Sequence, residues 1–366
     1  MHTSRIAIIG AGLAGLYAAY LLEKRGISDY VMLEARERVG GRIATLIPSG
    51  EVLVEGDAES FDLGPSWFWP EFQQVLGALV ESLGLLSFAQ YETGDMIMER
   101  SHQMPPVRMQ GFVNQPPSMR LRGGMQALID ALCQRIGPGR IFTGQAVQSM
   151  ALTSNGSVEM QCASGQRYNA QHVLLAVPPR LAAQAITFSP TLPEGLTHQW
   201  ASTATWMAPH CKYVALYPTP FWRDEHLSGE ARSLLGPLGE IHDMSHPDGH
   251  GALFGFFSLP ASARAQFGDE ALRQHCRAQL ARLFGPQAAS PSMDVIKDWA
   301  QEPFTATCAD QIPSDHHGTA PPARAADGPW KPRLTGIGSE WGKYYAGYLA
   351  GAIEAAERGV ANVLAK

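Results

Sequence analysis

Three closely spaced glycines near the amino terminus are placed to bind a diphosphate. Gly10, Gly12 and Gly15 follow a short apolar run, residues 6–9, and precede an apolar segment with helical periodicity. Between a strand and a helix, glycines at this spacing allow a tight turn and a close approach of the backbone to a pyrophosphate, whose charge the helix amino terminus favours. The pattern therefore predicts a dinucleotide site.

An acidic residue stands where the ribose of such a dinucleotide would lie. Glu34 ends a second predicted strand, residues 30–33, and a carboxylate there can accept hydrogen bonds from ribose hydroxyls. A glycine pair containing Gly41 follows at once, between Arg36 and Arg42. Guanidinium and backbone donors of this kind can bind a diphosphate, although a solvated charged loop would also contain these residues. The glycine motif by itself does not decide between NAD and FAD.

Several blocks of sequence, in chain order, resemble the flavin amine oxidases. This family includes monoamine and polyamine oxidases, L-amino acid oxidases and the catalytic domain of histone lysine demethylases. The resemblance extends over both ends and the middle of the chain. Its blocks are IIGAG at 8–12, LEARERVGGR at 33–42, DLG at 62–64, AVPP at 176–179, FSPTLP at 188–193, GSE at 338–340 and YAGYLAGA at 345–352.

The resemblance implies which residues hold FAD. Beyond the glycines, Glu34 and the arginines already named, the implied contacts are Gly64 and Ser66 in the segment that passes the flavin, the backbone of Val147 at the adenine, and Gly338 and Glu340 at the ribityl-diphosphate region. Non-covalent binding is expected. Cys308 lies near the position where some monoamine oxidases form a thioether with FAD, so a covalent link is the alternative.

Two side chains are implied to act beside the flavin. Lys212 is similar in spacing to the family lysine near flavin N5, which holds a water and assists reoxidation by O2. A buried ammonium there would also stabilise negative charge on the reduced flavin, whereas a surface lysine at a strand start is the ordinary alternative. Tyr348 matches one wall of the family's aromatic cage for an amine. Ala309 stands where the opposite wall is often tyrosine, so that wall would be missing or supplied by Trp67, Phe68, Trp341 or Tyr345.

The resemblance implies an FAD-dependent amine oxidase. A hydride would pass from the carbon that bears the amine to flavin N5, the imine would hydrolyse to an aldehyde or ketone, and O2 would be reduced to H2O2. A flavin dehydrogenase or desaturase acting on C–C bonds, like protoporphyrinogen oxidases and carotene desaturases, is the alternative. Ala309 and the short segment 88–120, where the family usually has a helical subdomain, keep that alternative open. An FAD-binding protein without activity and an NAD dehydrogenase explain fewer residues.

These residues require an α/β framework to position them. The strand–helix–strand opening and the resemblance together predict an FAD-binding Rossmann-like domain of the glutathione-reductase type, with a smaller α+β substrate domain. The predicted FAD-binding domain is discontinuous and comprises residues 1–87, 121–200 and 301–366. The predicted substrate domain comprises residues 88–120 and 201–300.

Composition limits the remaining classes of function. With 45% hydrophobic and 17% charged residues, the 366-residue chain is typical of a globular protein, and its net charge of -6 without a basic run argues against nucleic acid as a partner. Five scattered cysteines favour a reducing compartment. The histidines have no metal-binding spacing, so no metal is expected, and the pair His316-His317 is expected in a loop. No segment approaches the roughly 20 apolar residues of a membrane span. Cytoplasm is the expected location, and a homodimer is left open.

Overall fold

The computed structural model describes residues 2–47, 59–247, 249–311 and 319–365. Its strands are β1 (His2–Ile9), β2 (Tyr30–Leu33), β3 (Thr45–Leu46), β4 (Phe61–Asp62), β5 (Ser87–Ala89), β6 (Asp95–Glu99), β7 (Val107–Gln110), β8 (Met119–Leu121), β9 (Ile141–Phe142), β10 (Val147–Leu152), β11 (Val158–Cys162), β12 (Arg167–Leu175), β13 (Thr187–Ser189), β14 (Cys211–Tyr217), β15 (Leu227–Ser233), β16 (Leu238–Asp243), β17 (Gly251–Phe257), β18 (Met293–Asp298) and β19 (Leu334–Gly336). Its α-helices are α1 (Leu13–Glu23), α2 (Gln74–Ser82), α3 (Gln126–Cys133), α4 (Pro179–Ala185), α5 (Glu194–Ser202), α6 (Ala261–Arg264), α7 (Asp269–Phe284) and α8 (Leu349–Leu364).

The first large sheet is built around the amino-terminal strand. Its strand order is β13-β10-β11-β12-β1-β2-β9, with β19 also paired to β12. The strand β1 pairs in parallel with both β2 and β12, and its residues 6–9 are buried because helices cover this region. Helix α1 is buried on nearly all sides and packs against α8. This arrangement confirms the predicted α/β class and the strand–helix–strand opening.

The second large sheet is mainly antiparallel. Its order is β18-β14-β17-β16-β15-β6-β7, and within it only β15 and β6 run parallel. Tyr213, Tyr217 and Trp222 form part of the core that helix α7 covers. Acidic residues begin α7 and Arg282 lies in its last turn, in accord with the helix dipole. Two further sheets of two strands each, β3-β4 and β5-β8, lie outside the large ones. The predicted domain boundaries stay a prediction.

The segment 88–120 contributes strands to this second sheet. It lacks clear periodicity in the sequence, yet β6 and β7 form a hairpin that extends the sheet at one edge. All of its residues are described, and no helix occurs among them. Every residue of β7 is exposed, so nothing in the described part of the chain covers this edge.

Backbone atoms approach each other closely at the first turn. Gly10 has a φ of 103°, and a Cβ there would lie 2.8 Å from the carbonyl oxygen of Ala176. A Cβ at Gly15 would lie 1.9 Å from the carbonyl oxygen of Gly10. Gly15 therefore lets α1 pack directly on the end of β1, which is the role of the third glycine in such motifs.

We expect Gly15→Ala to destabilise the protein by about 2–3 kcal/mol, because the added methyl group meets backbone that cannot move without disturbing β1. The matched control is Gly195→Ala in α5, where a Cβ meets no atom within 4 Å. That change is expected to be neutral or to stabilise by up to about 1 kcal/mol. Urea unfolding of both variants tests the difference, and equal stabilities would contradict the close approach.

Candidate cofactor and substrate site

A cavity of about 730 Å³ has walls from both large sheets. Among the described residues, it is lined by every predicted site residue except Gly15 and Glu340, which lie behind its wall. The lining residues from the prediction are Gly10, Gly12, Glu34, Arg36, Gly41, Arg42, Gly64, Ser66, Val147, Lys212, Gly338 and Tyr348. A volume of this size is typical of a pocket for a small molecule or cofactor.

Two glycine loops meet in one wall of the cavity. Gly12, directly before α1, forms a parallel bridge with Gly40, whose amide donates to the carbonyl of Ala11 at 2.8 Å. Gly41 has a φ of 60°, and a Cβ there would lie 3.1 Å from the Cα of Gly12. The loops therefore pack backbone against backbone. First-turn amides of a helix have no intrahelical acceptors, so this wall offers donors to an anion.

Glu34 lies buried at the end of β2. Its carboxylate accepts hydrogen bonds from the backbone amides of Ala11 at 2.7 Å and Arg36 at 3.0 Å. The Arg36 guanidinium lies 3.9 Å from Glu34 and pairs with Glu302 at 3.2 Å. It also donates to the hydroxyl of Thr305 at 2.8 Å. Arg36 thus lies beside the predicted ribose-binding carboxylate, and its side chain is held by Glu302 and Thr305, which are distant in sequence.

Arg42 and Glu340 form a bidentate ion pair. The guanidinium donates to Glu340 Oε1 at 2.6 Å and to Oε2 at 3.1 Å, and also to the Ser339 hydroxyl at 3.0 Å. Burial alone would raise the pKa of the Glu340 carboxyl. The Arg42 charge and the hydrogen bonds outweigh that effect and hold the pKa below its usual range. The same two side chains bind the backbone of Trp206, whose carbonyl accepts from Arg42 and whose amide donates to Glu340.

Lys212 extends from β14 into the cavity wall and is almost fully buried. Its Nζ donates to the carbonyls of Asp62 and Gly64, both at 2.9 Å, and to the Ser66 hydroxyl at 2.8 Å. Nζ also lies 4.2 Å from the ring centre of Phe254. Burial lowers the pKa of Lys212 and raises that of the Asp62 carboxyl, and the attraction between the two groups opposes both shifts. These three oxygen acceptors match the three N–H donors of a Lys212 ammonium.

Tyr348 faces an aromatic partner that the sequence did not indicate. Its ring lies 5.7 Å from that of Trp206, with an angle of 32° between the planes. Of the four aromatic residues suggested as a second wall, Trp67 lines the cavity, while in the described part Phe68, Trp341 and Tyr345 do not. Trp206 has no motif around it, and only its position shortly before Lys212 in the chain could have drawn attention to it. Ala309 is exposed and outside the lining.

Other residues missed at the sequence level complete the walls. They line the cavity without belonging to a recognised block: Gln73, Met207, His210, Phe254 and Phe256. Phe254 and Phe256 alternate along β17, which pairs with β14, so strand pairing brings them to Lys212. Trp299 also lines the cavity and donates through Nε1 to the carbonyl of Leu63 at 3.0 Å.

The residues present fit FAD. One wall offers loop amides and a guanidinium to a diphosphate, Glu34 offers a carboxylate to hydroxyl groups, and Lys212 and the aromatic residues line the remainder. Among the described residues, no group of three or more His, Cys, Asp or Glu side chains is arranged to hold a metal ion. His316 and His317 lie outside the described residues. No helix in the described ranges is long and apolar enough to cross a membrane.

Fold and site together define an oxidoreductase that binds a dinucleotide cofactor. Residues 92–364 match the family model for flavin containing amine oxidoreductases, and residues 8–83 match that for NAD(P)-binding Rossmann-like domains. Because the first match extends over most of the chain, the protein belongs to the flavin-containing amine oxidoreductase family. This confirms the predicted family, the FAD-type fold and FAD-dependent amine oxidation, and it does not favour the alternative of C–C oxidation.

Individual relatives are similar over nearly the whole chain. The chain is 24% identical to a probable flavin-containing monoamine oxidase A of Dictyostelium discoideum, over 96% of each chain. It is 23% identical to the putrescine oxidase of Kocuria rosea, over 82% of this chain and 83% of the relative. A solved structure of a putrescine oxidase double mutant superposes with a TM-score of 0.81 at 22% identity, over all of both chains, and supports the fold.

We expect Arg42→Met to destabilise the apoprotein by about 3 kcal/mol at pH 7, because it leaves the Glu340 carboxylate buried without its partner. Since the pKa of Glu340 is lowered by folding, its stabilising contribution is present above the unfolded value near pH 4 and is lost as the pH falls through the folded value. The difference between the variant and the unmodified protein should therefore shrink as the pH falls below about 4.

Urea unfolding at several pH values measures this effect, with two comparisons. Arg42→Met combined with Glu340→Gln should recover part of the loss, because no charge is then left unpaired. Arg232→Met, which removes a guanidinium from half-exposed ion pairs with Glu230 and Glu240, should change the stability by less than about 1 kcal/mol. A loss that does not depend on pH would contradict the role of the ion pair.

Proposed function

We propose that this protein oxidises a neutral amine whose nitrogen lies between the aromatic pair, Trp206 and Tyr348, and the region of Lys212. The observation that carries the proposal is the buried Lys212 ammonium. It lies in the wall of the same cavity as the two glycine loops that could bind a diphosphate. A cofactor site and a substrate-sized aromatic wall thus share one space.

FAD, when bound, would supply the acceptor for the hydride lost from the carbon that bears the amine and the route for the electrons to O2, which would give H2O2, while the imine would hydrolyse in water. The glycine loops and Arg42 would hold its diphosphate, and Glu34 its ribose hydroxyls. Glu340 holds Arg42 in place, so its part in binding is indirect. Gly15 acts through packing, because it allows the loop and α1 to approach the end of β1.

The charges of the site favour an uncharged substrate nitrogen. Lys212 presents an ammonium at the cavity wall, whereas the charge of Arg42 is compensated by its partner Glu340. A like charge nearby disfavours the protonated form of a bound amine, so its pKa would fall on binding. The lone pair that the reaction needs is then free. The same Lys212 charge would stabilise negative charge that develops in the cavity during oxidation.

We propose that FAD binds non-covalently. In support, Cys308 is an exposed free thiol and is not among the described residues that line the cavity. The five cysteines are all free, in keeping with the expected cytoplasmic location. That location and a homodimer stay predictions.

Denaturation in acid tests whether FAD is bound covalently. FAD should separate from the protein on filtration, and flavin retained on the protein would contradict non-covalent binding.

The function itself is tested by the absorbance spectrum of the purified protein and an anaerobic titration. Primary amines, secondary amines and polyamines are added in turn, and flavin bands that bleach with one class and return with air would support amine oxidation. Flavin bands that none of these amines bleaches would count against the proposal. A protein that takes up no flavin when FAD is added would remove its basis.

We expect Lys212→Met to slow reoxidation of the reduced enzyme by O2 on the order of 100-fold, because it removes a buried positive charge from the cavity wall. Stopped-flow mixing of the reduced enzyme with oxygenated buffer measures the rate. The matched control is Lys24→Met, which removes an exposed lysine at the end of α1. The FAD content of both variants is measured first. An unchanged reoxidation rate in a flavin-loaded Lys212→Met enzyme would contradict the assigned role.

A further inference from the structure

His210 lies in the cavity wall two residues before Lys212. His210 ends the turn that leads into β14, and Lys212 is the second residue of that strand. Both line the cavity. The His210 ring lies 6.4 Å from the ring of Trp206 and 6.3 Å from that of Phe256. It therefore belongs to the same aromatic wall as Trp206 and its partner Tyr348.

The imidazole of His210 has no hydrogen-bond partner within the part of the chain that the structure describes. Its Nδ1 is closed off from solvent, whereas Nε2 is not among the buried atoms that lack a partner. Other histidines differ: His172 bonds the carbonyl of Pro332 through Nδ1, and His242 bonds the Glu240 carboxylate through Nε2. A buried polar atom without a partner is rare and requires an explanation.

The surroundings determine where the proton of this ring lies. A buried N–H without an acceptor is costlier than a lone pair without a donor, so Nδ1 carries the lone pair and Nε2 carries the hydrogen. Burial, with a smaller effect from the Arg264 charge, lowers the pKa of His210 and keeps the ring neutral. The neutral ring thus offers its Nε2–H as a hydrogen-bond donor on the side away from the buried Nδ1.

The turn that carries His210 is held from several directions. Arg264 donates to the carbonyl of Pro209 at 3.0 Å, and its guanidinium is itself paired with Asp298 at 2.6 Å. Met207, in the same turn, has a φ of 59°, in the left-handed region that non-glycine residues seldom adopt. Such a conformation persists only where its surroundings enforce it. The position of the donor is therefore set before any ligand binds.

We propose that His210 determines specificity by donating a hydrogen bond from Nε2 to an oxygen atom of the amine substrate. The substrate class that fits is an amine whose carbon chain also bears a neutral acceptor, such as a hydroxyl, ether or carbonyl oxygen. This inference rests on the proposed function and adds a second point of recognition to it. A site built to bond a polar group rejects the analogue that lacks it.

Paired ligands test the assignment. Unbranched alkylamines are compared with hydroxyalkylamines of equal chain length, with the hydroxyl at successive carbons. Isothermal titration calorimetry on the flavin-loaded protein gives Kd without requiring turnover, and kcat/KM is measured where turnover occurs. For at least one hydroxyl position we expect about tenfold tighter binding than for the parent alkylamine, the size of one hydrogen bond.

Variants separate recognition from packing. His210→Leu should abolish the preference for the hydroxyalkylamine, and His210→Gln, which keeps an N–H donor, should retain part of it. His198→Leu, at an exposed position of α5, is the matched control and should keep the full preference. The flavin reduction potential should be unchanged in His210→Leu.

Three results would overturn the assignment of His210. One is equal binding of every pair by the unmodified protein. Another is an equal loss for both members of a pair in His210→Leu, which would indicate a structural role. The third is a shifted reduction potential with the preference intact, which would place the donor at the flavin. Tight, selective binding of a hydroxyalkylamine that never reduces the flavin would instead contradict the proposed oxidation alone.

Discussion

The bidentate pair between Arg42 and Glu340 joins parts of the chain that the sequence separates by almost 300 residues. It links the second glycine loop to the turn before α8, and both of its side chains also bind the backbone of Trp206. The position of Trp206 fixes the aromatic contact with Tyr348 and the start of the turn that carries His210. One ion pair thus positions the two glycine loops relative to the aromatic wall of Trp206 and Tyr348.

Such a pair is expensive to bury. Removing two charges from water costs several kcal/mol per ion, and a well-packed apolar pair is often as stable. The benefit here lies in geometry, because a guanidinium has a fixed fork of donors that can hold a carboxylate and a carbonyl at once. Lys212 follows the same principle: its three hydrogens are assigned to Asp62, Gly64 and Ser66, so the charge sits at a defined place on the cavity wall. At both sites, burying the charge costs stability, and the hydrogen bonds fix where the charged group lies.

What the sequence could predict depended on how local the signal was. The turn from Gly10 to Gly15 and Glu34 lie within one strand–helix–strand unit, where spacing and periodicity report directly on structure. Lys212 was found by the resemblance, through its spacing along one strand. Trp206 and His210 were missed because they lie in a turn without periodicity, and their place depends on contacts with Arg42, Glu340 and Arg264 that are distant in sequence. The strands of segment 88–120 were missed because the segment lacks clear periodicity, and because β6 also pairs with a strand far along the chain, β15.

The shape of the cavity limits how a substrate can be oriented. Within the part of the chain that the structure describes, segment 88–120 forms strands and no helix, and Tyr348 is 37% exposed. Water therefore reaches the aromatic wall, and charge attraction alone orients a ligand poorly where the dielectric constant is high. A directional contact at a rigid position, such as the N–H of His210, orients a ligand in water-accessible surroundings because it depends on geometry as well as on charge. A site that water can enter would thus select among amines through a hydrogen bond from a fixed donor. An enclosed site would select among them by shape.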